Sequence, residues 1–517
     1  MKSSPKKNRD KEARTLAAID IGSNSIRMVI AQVLPNGELE ILERLQRAVR
    51  LGQDTFRRGR IRGQTMRAAI IVLRDFLNVL KTYNVPQIRA VATSAVREAS
   101  NADTFIDRIL VATGLEVIVI PATEESRLTV TAVRHALDKT FINRRRILIV
   151  EVGGGSTIIN LLDKGEISST HSLAIGSIRT QEALATSSET QQQASKLIEQ
   201  QVSSAVSAVS GLMHLKKIQT FIAIGGDARW ATGQVGKNVD KQQLKTISKK
   251  NLDNLIKQYE AYSPDELAKS LKLPFSDAET LTPALLVYSA LLNVTKAQEL
   301  YVSDVTMRDG LLLDLYMSVS GREDKHFSKE VLNSAEAIAH KYQIDLKHAK
   351  HVKKLSTQLY DYLKAEQWLN IENRLLLQVS AILHEIGIFV SSRAHHKHSY
   401  YLIANSEIFG LNTNELEMVA NISRYHRRSR PKTTHPDYIK LPRNRRMIVS
   451  KLAAVLRVAD ALDVNRNQQV RNVKFRIEDE ELIITVSNPT DLTLERRSLA
   501  SKSDMFEDIY GLRVRLE

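Results

Sequence analysis

Cysteine occurs nowhere in the 517 residues. Its absence excludes disulfides, thiolate metal sites and a cysteine nucleophile. A chain without cysteine also suits a reducing compartment, so the expected location is the cytoplasm. No apolar run approaches the roughly 18 residues of a membrane span, and no membrane partner is expected. The first 14 residues, MKSSPKKNRDKEAR, lack the apolar stretch and cleavage site of a signal peptide. They read as a disordered basic arm. Aromatic residues reach only 5%. The stacking platforms of a single-strand nucleic-acid binder are therefore not expected, nor is a specific nucleic-acid partner.

What is present fits a folded chain: 43% hydrophobic and 26% charged residues, at a length of about three or four domains. Basic residues number 74 against 58 acidic, a net charge of +16. The excess is uneven. Between Asn421 and Ser450 nine Lys/Arg face a single acid, Asp437. Such a field attracts a polyanion. Its arginines, Arg424, Arg427, Arg428, Arg430, Arg443, Arg445 and Arg446, are candidates for a polyanion track, because guanidinium forks match phosphate oxygens.

Apolar strand-like runs (15–21, 25–34, 89–93, 116–120, 146–152, 158–163 and 220–226) alternate with amphipathic stretches (66–83 and 190–213). This alternation predicts an α/β architecture. From 323 to 467 the apolar spacing is helical, and from 468 to 517 it is strand-like again. The expected organisation is an arm at 1–14, a first lobe at 15–140, a second at 141–317, a helical domain at 323–467 and a small α+β piece at 468–517. The polar stretch SVSGREDKH (318–326) is the expected linker.

Two segments repeat. AIDIGSNSIRMVIA (18–31) aligns with IVEVGGGSTIINLL (149–162), placing Asp20 on Glu151, Gly22 on Gly153 and Ser25 on Ser156. Each copy is an apolar strand, an acid, a small-residue turn and a second apolar strand, which reads as an internal duplication. Glycine lets backbone N–H groups approach an anion closely, and successive N–H groups form an anion-binding hollow. Gly22, Gly153, Gly154 and Gly155 supply the turns. Ser23, Asn24, Ser25, Ser156 and Thr157 add side-chain donors. Asp20 and Glu151 are candidates to hold Mg²⁺ beside phosphate. A third turn, Gly225–Gly226, follows another strand and could approach a nucleoside or a further phosphate.

In order and spacing, DIGSNS (20–25), TSAVREA (93–99), PATEESRL (121–128), EVGGGST (151–157), LAIGSIRTQE (173–182) and VTMRDGLL (305–312) resemble the exopolyphosphatase / guanosine pentaphosphate phosphohydrolase (Ppx/GppA) family, within the actin-like superfamily. The resemblance implies two actin-like, ribonuclease H-like lobes around a phosphate cleft. It also implies hydrolysis of terminal phosphate from polyphosphate, or of the 5′ γ-phosphate of pppGpp, with Mg²⁺ or alternatively Mn²⁺. It gives Arg97 to substrate phosphate, Glu125 to the attacking water, with Glu151 beside it, and a homodimer as the assembly. The chain departs from the family pattern D-x-G-G-G-S-T-E at two places: Glu151 replaces the Asp, and Ile158 replaces the final catalytic Glu. Asp227 also follows the third turn, where the family often has Thr. Three readings follow: an exopolyphosphatase, first by expectation; a pppGpp phosphohydrolase; and a polyphosphate or (p)ppGpp-binding regulator of weakened activity.

The C-terminal region resembles an HD-type phosphohydrolase domain. DLKHAKHVKKL (345–355), LHEIG (383–387) and RVADALD (457–463) supply His348, His384, Glu385 and Asp460 as a candidate site for Fe, Mn or Zn. His395, His396, His398 and His426 are further candidate ligands. Here Glu385 stands in place of the namesake Asp.

Overall fold

The computed structural model describes residues 15–143, 146–184, 191–239, 244–320, 325–367, 371–427, 429–487 and 491–517. The chain divides into two compact units, Met1–Asp324 and Lys325–Glu517. The arm at 1–14 and Arg428 lie outside the described residues.

The first unit holds two sheets. β1 (Thr15–Ile21), β2 (Ser25–Val33), β3 (Leu39–Ala48), β4 (Gln87–Ala92) and β5 (Val117–Val119) are ordered β3-β2-β1-β4-β5. β1–β2 and β2–β3 pair antiparallel, and β1–β4 and β4–β5 pair parallel. β6 (Arg146–Val152), β7 (Thr157–Asp163), β8 (Glu166–Leu173), β9 (Thr220–Ile224) and β12 (Glu299–Ser303) repeat that order. β11 (Leu244–Ser248) and β10 (Lys237–Asn238) extend the second sheet beyond β12. The directions match too, hairpin pairs first and parallel pairs after. This double 3-2-1-4-5 order is the ribonuclease H-like, actin-like architecture, and the sequence repeat is its trace. β1 and β6 are near-continuous apolar runs because both faces of a central strand are covered.

The helix Ala122–Ala136 lies where the sheets approach each other. Leu128 packs into the core of the first sheet, while Thr129 bonds to Glu151 of β6. The helix Met307–Ser320 returns to the first sheet. Its Leu311 and Leu312 are buried against Leu16, Ala18, Val29 and Ala31. Ion pairs of Arg89 and Arg127 with Asp314 hold it there. The expected second lobe at 141–317 thus overruns: its last turns complete the first lobe, because Leu311, Leu312 and Leu315 add to the cover that Ile120 and Leu128 give the apolar face of β1 and β2.

In the second unit, helices enclose one core that also takes in Leu482, Ile484, Met505 and Phe506. β13 (Val473–Glu478), β14 (Glu481–Val486) and β15 (Arg513–Leu516) form a three-stranded sheet. The 468–517 segment is therefore not a separate body but part of the wall of the helical domain.

Candidate functional site

The repeated turns have one geometry. Gly22 N–H donates to the Ser25 carbonyl at 3.1 Å, and Gly153 N–H to the Ser156 carbonyl at 2.9 Å. A Cβ on either glycine would stand 3.2 Å from that carbonyl. The turns face each other, since a Cβ on Gly154 would come within 2.9 Å of Ser23 Cβ. Between them lies a cavity of about 280 Å³ whose walls include Asp20, Ser23, Asn24, Ser25, Gly153, Gly154 and Ser156. The third turn joins the same wall through Gly225 and Gly226. Gly225 has φ +150°, and the Tyr288 hydroxyl would stand 2.8 Å from a Cβ there, so no other residue fits.

Three acids meet in this cavity: Asp20, Glu125 and Glu151. Arg308 reaches over from the returning helix and donates to Asp20 Oδ2 at 3.1 Å. Asp20 Oδ1 is buried without a hydrogen-bond partner. Thr129 Oγ1 donates to Glu151 Oε2 at 2.6 Å. Burial pushes the Glu151 carboxyl up, and the nearby charge of Asp20 adds to this. Burial likewise raises Glu125 to about 7, against the pull of Arg97, which donates to Glu125 Oε1 at 2.6 Å. Buried carboxylates with an unpartnered oxygen suit a hard divalent cation, which would relieve their mutual repulsion.

The expected site residues do not all line the cavity. Arg97 is tied to Glu125 and to the Ile120 carbonyl, one step behind the wall. Thr157 turns its hydroxyl to the Ile175 carbonyl at 2.7 Å, so it supports the loop rather than facing an anion. Gly155 packs where a Cβ would strike Phe56 and Ser94, so it permits close approach of the two loops instead of touching ligand. Glu124 pairs with Arg127 at 2.8 Å and has a structural role beside the Glu125 it precedes.

Arg27, Arg229 and Arg308 line the cavity and were not among the expected residues. The duplication offered a signal for Arg27. It pairs across the hairpin with Asp20, as Ile158 pairs with Glu151. Asp227 lines the cavity near Asp277, and burial lifts its carboxyl to about 6.

In the second unit, His348, His384 and Asp460 place ligand atoms within 4.8 Å of one another. His348 Nε2 and His384 Nε2 stand 3.5 and 3.7 Å from Asp460 Oδ1, and neither has a hydrogen-bond partner. Their Nδ1 atoms are fixed by Asp463 and by the Ala381 carbonyl, each at 2.8 Å. Glu385 lies 3.9 Å from His348 and is held by Arg466 at 2.6 Å. His426 and His395 extend the group, their Nε2 atoms 3.2 Å apart. His396 is half-buried near Arg427, and burial lowers its imidazole to about 4. Against a metal stands Lys502, whose Nζ is 2.5 Å from Asp460 Oδ2.

The basic run is partly spoken for. Arg424 pairs with Asp437 at 2.9 Å, and Arg430 pairs with Asp504 and Asp508. Arg427 and Arg443 are exposed, and Arg445 and Arg446 are half-buried at the start of the helix Arg443–Ala461. No helix among the described residues is long and apolar enough to cross a membrane.

With this geometry in place, comparison with known proteins is specific. The model of the Ppx/GppA phosphatase family matches residues 29–319, and that of Ppx/GppA phosphatase domain III matches residues 332–505. A guanosine-5′-triphosphate,3′-diphosphate pyrophosphatase of Photobacterium profundum is 25% identical over 420 residues, covering 80% of this chain and 80% of that protein. A protein of the same name from Vibrio atlanticus is 23% identical over 505 residues, covering 95% and 96%. The crystal structure of an exopolyphosphatase from Cytophaga hutchinsonii shares the fold at TM-score 0.53 and 22% identity, covering 60% of this chain and 99% of that one. The chain belongs to the Ppx/GppA phosphatase family, whose members hydrolyse phosphoanhydride bonds.

Proposed function

We propose that the cleft removes the terminal 5′ phosphate of a guanosine polyphosphate of the pppGpp type. The observation that carries this reading is the wall beside the third glycine turn, where Asp227 and Asp277 stand with Trp230, Leu273 and Leu281. Two carboxylates repel a continuing phosphate chain. They accept hydrogen bonds from base N–H groups, as guanine presents on its Watson–Crick edge, and the apolar neighbours suit a base plane. The names of the relatives from Photobacterium and Vibrio agree with this choice.

Asp20 and Glu151 would hold Mg²⁺, which when bound neutralises charge on the transferred phosphoryl group. Turn amides within Ser23–Ser25 and Gly154–Ser156 bind the phosphate oxygens, while the Gly22 and Gly153 amides close the turns. Glu125, poised near neutrality by burial, orients the attacking water and takes its proton. Arg97 holds Glu125 in place. Arg308 keeps Asp20 oriented until the cation binds.

The test is a comparison of kcat/KM for pppGpp and for long-chain polyphosphate, in the wild type and in Asp227→Asn. The wild type is expected to favour pppGpp at least tenfold, and the variant to lose that margin. A wild type that favours polyphosphate would overturn the nucleotide reading and leave the linear chain as substrate.

A second site is supported by the unpartnered His348 and His384 nitrogens. They and Asp460 form a donor set suited to a transition metal, once Lys502 moves aside.

A further inference from the structure

The helix Ala122–Ala136 carries two hydroxyls where burial favours apolar side chains. Ser126 and Thr129 lie one turn apart on it, and both are fully buried. A buried hydroxyl is costly unless it is hydrogen-bonded, and inside a helix it commonly bonds a carbonyl of the preceding turn. These two reach across to the second sheet instead. Ser126 donates to Asn160 of β7, and Thr129 Oγ1 donates to Glu151 Oε2 of β6 at 2.6 Å. Valine has the shape of threonine and would fill position 129 without needing a partner, so packing alone does not explain the hydroxyl. Glu151 explains it. This side chain is longer by one methylene than the aspartate of the family pattern, and has one more torsion to fix before its oxygens point in a set direction. The bond to Thr129 fixes it at Oε2. No hydrogen bond reaches Oε1 among the described residues, and Glu151 lines the cleft beside Asp20, whose Oδ1 also lacks a partner.

We infer that Thr129 is a positioning residue: by holding Oε2 of Glu151 it leaves Oε1 to receive the divalent cation in the cleft. The hydroxyl is itself well anchored. Ser126 ties the same helix to β7, and Leu128 is buried with Leu16 and Ala18 of the first sheet. Glu125 stands on this helix one turn before Thr129, so one rigid element sets the spacing of two cleft carboxylates. The bond also favours the ionised carboxylate that a cation needs, against the burial that raises it. The role rests on the proposed placing of Mg²⁺ at Asp20 and Glu151, and not on turnover.

The test is Mg²⁺ binding to the full chain without nucleotide, by isothermal titration calorimetry. Mg²⁺ is the probe because a hard cation prefers carboxylate oxygens to the imidazoles of the second unit. The cleft site is the one that Asp20→Asn removes. Thr129→Val is expected to weaken it about tenfold, as loss of a ligand's supporting hydrogen bond does. Thr129→Ala, which removes the hydroxyl without crowding, should do the same, and Thr129→Ser should restore binding. In the Glu151→Asp background the side chain no longer reaches Thr129, and the effect of Thr129→Val should shrink to less than about twofold. An undiminished site in both Thr129→Val and Thr129→Ala would overturn the role. An equal loss in both backgrounds would overturn it too, since the hydroxyl would then serve the fold, as would a wild type without a cleft Mg²⁺ site. Phosphate release is measured separately. In Thr129→Val the Mg²⁺ concentration for half-maximal rate should rise about tenfold, with KM for nucleotide unchanged at saturating Mg²⁺. Mg²⁺ binding without any release would end the hydrolytic reading and leave the role of Thr129 standing, so the two failures are distinguishable.

Discussion

Glu151 and Ile158 are cross-strand partners at the head of the second phosphate loop, and both line the cleft. Side chains opposite each other in an antiparallel pair share a face. A carboxylate at 158 would therefore stand beside Glu151 and the cation it is proposed to hold. The chain has instead an isoleucine only 3% exposed. Glu151 is longer by one methylene than the aspartate that the family pattern has at this place.

Ile158→Glu should consequently raise Mg²⁺-dependent phosphate release. A restored general base or water-orienting group is worth roughly 10²–10⁴ in rate, and a partial gain of about 10–100-fold is expected against a background that Glu125 already serves. Ile158→Gln should bring no gain. If the glutamate variant is no faster, position 158 does not limit the reaction, and a weakened, regulatory role for the chain loses its basis.

As the proposed general base, Glu125 should set the pH response. Below about 7 its carboxyl is protonated and cannot accept a proton from water, so kcat/KM should rise through that pH. Glu125→Gln should abolish the rise and lower kcat by about 10²–10⁴. The sign for stability is opposite. The folded value lies above the ordinary 4.5, so folding favours the neutral acid, and its ionisation costs stability increasingly from pH 4.5 up to about 7. The glutamine variant should therefore be more stable than wild type at pH 8, by up to about 3 kcal/mol, and equal to it near pH 4. Urea unfolding at the two pH values measures this.

Arg308 and Asp20 form a buried pair whose halves depend on each other. Arg308→Met leaves the carboxylate without its cation, at a cost of about 3–5 kcal/mol. Added Mg²⁺ should return part of that loss by standing in for the guanidinium, and should stabilise the variant more than the wild type. Thermal unfolding with and without Mg²⁺ tests the exchange. Equal Mg²⁺ effects in both proteins would place the cation away from Asp20.

In the helical unit, Lys502 competes with any metal for Asp460. Lys502→Met should raise the Zn²⁺ or Mn²⁺ content of the purified protein towards one per chain, read by elemental analysis, and His384→Ala should reverse it. Unchanged, negligible metal in Lys502→Met would mean that the imidazoles there are structural.

The parts of the site legible in the sequence are those built from neighbours. An acid, a glycine turn and a hydroxyl at the end of an apolar strand carry their own geometry, and the second copy at 149–162 reinforces the first. The contribution of Arg308 was hidden because its partner is 288 residues away in sequence and only the returning helix brings them together. Thr157 has the right chemistry for phosphate, but strand pairing aims its hydroxyl at a carbonyl. The strand-like tail at 468–517 was visible as strands. That it closes the helical core was not, because apolar spacing tells which face is buried but not what buries it.

The return of Met307–Ser320 to the first sheet has a consequence for synthesis. Leu16, Ala18 and Val29 are covered in part by Ile120 and Leu128, but the cover from Leu311 and Leu312 comes only after nearly 300 further residues have been made. At about 5–20 residues per second this is a wait of roughly 15–60 s on the ribosome. During that interval the nascent first lobe presents an oily flank, and it would be a natural client for a chaperone.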